Sequence, residues 1–179
     1  MISVVIGLSA ANLLLLIGVW CLGLTFAGSA RGDALYTLHV TLAILASLMS
    51  ILVHVAVFTY FMATTKWLTA AADKAALAAD DYILPSQRRK SRALICLMGA
   101  FVAMLITVLA GAAADTTGRG WVSQIHMWLG ALTIAVNLVA AIGEYHLVAH
   151  QGRLLHRAAT ILGRPAVVEP ANPRPVGTS

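Results

Sequence analysis

Four long stretches of almost unbroken apolar residues run along this chain: Ile2 to Ala27, Leu35 to Thr65, Ala93 to Ala114 and Trp121 to Ala149. Each exceeds the roughly 20 residues of helix that cross a bilayer's hydrocarbon core. In lipid, an open chain satisfies its own backbone only as a helix. The polar interruptions fit that reading. Gly28, Ser29, Gly32 and Asp33 form a short first turn, and Asp115, Thr116, Thr117, Gly118 and Gly120 form the third. Such turns join antiparallel neighbours in an up-down bundle. The pattern predicts an all-α integral membrane four-helix bundle over residues 1–163, followed by a tail over 164–179.

The middle interruption differs in kind. KWLTAAADKAALAADD, Lys66 to Asp81, combines alanine and charge and favours helix. It predicts either that the second span continues past the membrane surface or that a short helix lies against it. Pro85 is expected to end that element, and Arg88, Arg89, Lys90 and Arg92 to open the third span. After Ala149 comes a short amphipathic piece, HQGRLLHRAATIL. Of five prolines, Pro165, Pro170, Pro173 and Pro175 fall in the last fifteen residues, a composition that predicts disorder.

Composition bears on the surface. Sixty per cent of the residues are hydrophobic and only 11% are charged, where a soluble domain carries about 25%. The net charge of +5 has a topological explanation rather than a nucleic-acid one: ten of the twelve Lys and Arg lie from Lys66 to Arg92 or from Arg153 onward. By the positive-inside rule those two segments are cytoplasmic. The expected location is therefore a bacterial-type inner (plasma) membrane, multi-pass, with both termini in the cytoplasm. The first apolar run is longer than the 7–15 residues of a signal peptide core, so it reads as a span. Trp67 and Trp121 fall at span ends, where aromatic belts occur. Cys21 and Cys96 sit on different spans near opposite ends, so no bridge between them is expected. No Walker loop, dinucleotide fingerprint, CxxC pair, HExxH helix, nucleophile elbow or repeat of 20–50 residues is evident.

Polar residues inside a span are costly and concentrate where a membrane protein works. Here they fall on the second span (His39, Ser47, Ser50, His54) and the fourth (Gln124, His126, Asn137, Glu144, His146), while the other two carry little beyond Asn12 and Thr107. Both polar spans run from outside to inside, so His39 and His126 lie at matching depth. Ser50 and Asn137 follow each of them by eleven residues, about three helical turns. Ala43, Ala46 and Ser50 therefore share a face with His39, and Gly130, Thr133, Asn137, Ala140 and Glu144 share one with His126.

Two matched stripes of small and polar residues, each headed by a histidine, resemble the scheme of transmembrane b-type cytochromes such as the cytochrome b core. There the second and fourth helices of a four-helix bundle hold haem through paired histidines. The resemblance is architectural, covers residues 2–149, and carries no specific motif. It implies haem b with His39 and His126 as axial ligands, Ser50 and Asn137 hydrogen-bonding near the macrocycle, and close-approach glycines at Gly18 or Gly23 and at Gly99 or Gly111. It departs from the two-haem pattern. His54 lies fifteen residues from His39 and roughly 60° around the helix, its counterpart on the fourth span is Ala141, and His146 is roughly 200° from His126. One haem is expected.

Other readings use the same residues. Histidines near span ends also bond backbone carbonyls, and small-residue stripes also serve plain helix packing. The chain then reads as a cofactor-free structural or assembly subunit. Glu144, the one carboxylate within a span, is placed to pair with His54, Lys66 or Arg92; paired with His54 it makes a proton relay, and the protein a small proton or ion pathway. The cluster Phe58, Tyr60 and Phe61 is suited to line a quinone site or to act as a packing knot. His150 and His156 read as interfacial. The expected partners are the lipid bilayer and other membrane subunits or further copies of the chain, not nucleic acid. An electron-transfer or accessory subunit fits better than a stand-alone enzyme, and unbroken spans argue against a stand-alone transporter.

Overall fold

The computed structural model describes residues 2–25, 33–75 and 77–163. They form four helices: α1 (Ile2–Thr25), α2 (Ala34–Ala75), α3 (Ala79–Thr117) and α4 (Gly120–Leu162). All four are long and apolar enough to cross a membrane. The distribution of polarity is that of a chain solvated by lipid. Leu14, Ile95 and Val139 are about 70% exposed, whereas Asn137, Glu144 and Gln151 are buried at 1% or less. Lipid does not drive apolar groups inward, so the interior holds the polar groups that need partners. This is a multi-pass membrane protein.

Packing order sets the topology. Val5 meets Val57 and Phe61, while Leu16 and Val19 meet Ala46, so α1 and α2 are antiparallel. Ser47 reaches Met104 and Thr65 reaches Ser86, which makes α2 and α3 antiparallel. Ala93 packs with Val148 and Thr107 with Thr133, which does the same for α3 and α4. Helices α2 and α4 then run parallel, as the spans predict, with Ser50 against Asn137 and His54 against Glu144.

Helix α2 has 42 residues, about twice what a bilayer needs. Of the two forms expected for the middle connection, the structure takes the first: the second span simply continues. Its extension packs Leu68 against Leu154 and Ala158 of an equally extended α4, with Tyr82 of α3 alongside. The amphipathic piece after Ala149 is thus part of α4.

Two turn expectations are corrected. Pro85 does not end an element but lies inside α3, six residues after its start. Pro85 lacks the N–H that would bond the Asp81 carbonyl, yet the helix continues through it, and Ser86 beside it is pinned by Thr65 and Gln151. Asp115 to Thr117 belong to α3, whose last turn is capped by Gly118 at φ 62°, the left-handed conformation glycine adopts without strain. Only Gly118 and Arg119 separate α3 from α4. The first turn, at 26–32, and the proline-rich tail, at 164–179, lie outside the described residues.

The two hairpins α1–α2 and α3–α4 repeat each other. Buried Val5, Asn12 and Leu16 on α1 correspond to buried Ala93, Ala100 and Met104 on α3, each 88 residues on. Buried Ala46, Ser50, Val53, Val57 and Phe61 on α2 correspond to buried Thr133, Asn137, Ala140, Glu144 and Val148 on α4, each 87 on. The bundle is a pair of hairpins whose buried positions correspond, although the residue types at those positions mostly differ.

Candidate functional site

The repeat places one histidine in each hairpin in the same way. His39 donates through Nδ1 to the Val19 carbonyl at 3.2 Å, and His126 donates through Nδ1 to the Thr107 carbonyl at 3.0 Å. Four residues beyond each acceptor is a glycine. In an α-helix the residue at i+4 overlies carbonyl i, so a side chain there would cover the acceptor. A Cβ built on Gly23 would lie 3.0 Å from His39 Cε1, and one on Gly111 2.9 Å from His126 Cε1. Of the four glycines proposed for close approach, these two serve the histidines. Gly18 and Gly99 have nothing within 4 Å of such a Cβ.

The two rings meet edge-on in a T-shaped arrangement, with centroids 6.4 Å apart and planes at 89°. A backbone carbonyl only accepts, so each Nδ1 carries the proton and each Nε2 is the basic nitrogen, the one that ligates metals. Carbonyl-bonded Nδ1 is the usual orienting partner of a metal-bound histidine. Among the described residues no group of three or more His, Cys, Asp or Glu is gathered that would hold a bare ion.

The glycines give a direct check. Gly111→Ala and Gly23→Ala are expected to destabilise the detergent-solubilised protein by about 1–3 kcal/mol through overpacking. Gly18→Ala and Gly99→Ala are expected to be neutral or slightly stabilising, by up to about 1 kcal/mol, from helix propensity. Thermal unfolding of the four variants compares them, and equal effects at all four would refute the close packing.

Gly130, read from the sequence as space beside His126, is filled. Its would-be Cβ lies 2.9 Å from Trp20 Cδ1, and the Trp20 indole donates to the Met127 carbonyl at 3.0 Å. Trp20 thus closes the bundle beside the histidines. Nothing in the chain's periodicity singled it out, because a tryptophan in an apolar run looks like any other large apolar residue.

Deeper in the bundle lies a second polar cluster. Asn137 donates to the Thr133 carbonyl at 2.9 Å, which fixes its amide orientation. Its Oδ1 then accepts from Ser50 at 2.7 Å, from Asn12 at 3.2 Å and from His54 Nε2 at 3.2 Å. His54 Nδ1 lies 2.8 Å from Glu144 Oε1. Ser50 and Asn137 therefore bond to each other and to this cluster. Of the three partners considered for Glu144, the structure selects His54. Because His54 Nε2 faces an oxygen that only accepts, it carries a proton, and one further proton sits between Nδ1 and Oε1. The pair is neutral overall whether that proton is on the ring or on the carboxyl. Among the described residues, Ser9 Oγ, Asn12 Oδ1 and Glu144 Oε2 are buried with no hydrogen-bond partner, a state that costs about 1–3 kcal/mol per group.

The aromatic cluster is a packing knot in this structure. Phe61 is fully buried among Val5, Val57, Ala93 and Val148, with Tyr60 edge-on to it at 5.5 Å. It stands some 20 residues, roughly 30 Å, from His39 along α2. Cys21 and Cys96 are both free. No known protein family, curated protein or solved structure matches this chain.

Proposed function

We propose that this protein is a membrane-embedded electron-transfer subunit that holds one b-type haem between α2 and α4, with His39 and His126 as axial ligands. The observation that carries the reading is the histidine pair itself. The two imidazoles lie with centroids 6.4 Å apart, close enough that both could hold one metal centre. The donor set fits a haem, since two protein ligands are too few for a bare ion but suffice where a porphyrin supplies the other four. Both rings are oriented through Nδ1, and Nε2 is the nitrogen through which each would ligate.

When bound, the haem would supply a reversible one-electron couple. The chain's own residues hold and orient it: Val19 and Thr107 set the imidazole planes, Gly23 and Gly111 let the rings approach the neighbouring helices, and Trp20 packs beside them. Ser50 and Asn137 act in this reading as the polar floor beneath the histidine layer. The clustering of ten of the twelve basic residues supports cytoplasmic termini in a bacterial-type inner membrane, with the histidines near its outer face. So little mass outside the membrane favours work with other membrane subunits or further copies of the chain.

The protein purified from haem-replete cells is expected to show a Soret band and reduced b-type peaks. A colourless preparation would overturn the reading. A second reading, a small proton or ion pathway, is favoured by one observation: His54 Nδ1 and Glu144 Oε1 lie 2.8 Å apart, buried in the bundle's interior. It expects proton flux in liposomes that is lost in Glu144→Gln; flux that survives the substitution dismisses it. A quinone has no support from the buried Phe61 cluster.

A further inference from the structure

Near the other end of the bundle, residues of α3 and α4 border an open cleft of about 510 Å³, lined by Arg89, Arg92, His146 and His150, with Cys96 and Gly143 among the residues of its wall. Arg153 extends the basic group, its Nη2 lying 3.0 Å from His150 Nδ1. Among the described residues none of these arginines has a carboxylate within ion-pair distance, and the one ion pair there, His54 with Glu144, does not involve them. Like charges gathered without a counter-charge repel one another, so the arrangement is stabilised by an anion that enters it.

The cleft also rests on a rigid framework. Arg89 Nη1 is directed by Gln151 Oε1 at 3.4 Å. Gln151 is fully buried and donates to Ser86 at 2.8 Å and Thr64 at 3.2 Å, and Ser86 is itself bonded to Thr65 at 2.7 Å. A four-residue polar layer that joins α2, α3 and α4 thus supports one guanidinium at the cleft. Planar guanidinium groups recognise phosphate oxygens through paired hydrogen bonds. Basic clefts between membrane helices at the cytoplasmic surface are where anionic headgroups dock.

We infer that the cleft between α3 and α4, lined by Arg89, Arg92, His146 and His150, binds a phosphate-bearing group, supplied by an anionic lipid headgroup of the cytoplasmic leaflet. The shared chemistry is the phosphate; the alternative source is a soluble phosphate compound. The inference does not depend on the haem.

Native mass spectrometry of the full chain released from detergent, titrated with phosphatidylglycerol, phosphatidylcholine, inorganic phosphate or ADP, tests it. Phosphatidylglycerol is expected to be retained over phosphatidylcholine. Each basic residue at a membrane surface contributes about fivefold, so Arg89→Gln or Arg92→Gln should weaken retention by about fivefold and the double variant by roughly 25-fold. Arg119→Gln, at the opposite end of α4, should leave it unchanged. Retention of phosphate or ADP with the same dependence on Arg89 and Arg92 supports the site and assigns it a soluble ligand. Equal retention of both lipids, or retention indifferent to the double variant when Arg92→Gln elutes as a folded monodisperse protein, overturns the inference.

Discussion

His126→Ala and His39→Ala are each expected to remove the low-spin b-type spectrum of the purified protein, with a loss of bound haem approaching completeness. The expectation follows from equivalence. The two rings occupy matching positions in the two hairpins, each oriented by one carbonyl and seated on one glycine. Neither is a spare: in the proposed haem site a single imidazole would leave the iron one ligand short. The loss should be separable from unfolding. Val19 and Thr107 already accept backbone hydrogen bonds within their helices, so losing the imidazole leaves no orphaned carbonyl, and stability should fall only by the volume of the ring. His146→Ala is the control, because its ring packs on Tyr145 instead. Pyridine haemochrome content and reduced-minus-oxidised spectra, read beside thermal unfolding, check the result. If both alanine variants keep a full b-type spectrum, His39 and His126 are not the ligands.

The second large effect concerns the His54–Glu144 pair. Glu144→Leu is expected to destabilise the protein by about 3–5 kcal/mol, the usual consequence of removing one partner from a buried ion pair. It leaves His54 facing an apolar side chain in a layer that water does not reach. His54→Leu should cost a similar amount, because Glu144, with Oε2 already unpartnered, would lose its remaining contact. The double variant His54→Leu with Glu144→Leu should recover much of the loss, since both polar groups are then gone; hydrophobic replacements of such pairs are often neutral. Glu144→Gln should fall between, as it keeps an acceptor for the ring. Denaturant unfolding in mixed micelles measures the cycle. Single variants within about 1 kcal/mol of the parent, with no coupling, would mean that the layer is solvated.

Much of the architecture was legible before any coordinates. Four apolar runs of more than twenty residues admit only helices in lipid, and the short polar turns admit only antiparallel neighbours. The matching depth of His39 and His126 followed from counting residues along two parallel helices. Pro85 misled, because a proline reads as a helix stop, whereas α3 continues through it with Ser86 held by Thr65 and Gln151. The 87-residue repeat left no clear trace either: corresponding positions share burial rather than residue type, as Asn12 with Ala100 and Val57 with Glu144 show.

What the sequence by itself determined is the bundle: its span count, its antiparallel order, and the concentration of polar groups on α2 and α4. Local hydropathy decides these, because solvation by lipid acts on each segment separately. Only the tertiary structure decided which polar groups meet. Ser50 and Asn137 belong with Asn12, His54 and Glu144, the histidines rest on Gly23 and Gly111, and Trp20 fills the space above Gly130. Those pairings join residues up to 125 apart, and they depend on helix rotation and depth, which packing of the whole bundle sets and no single segment encodes.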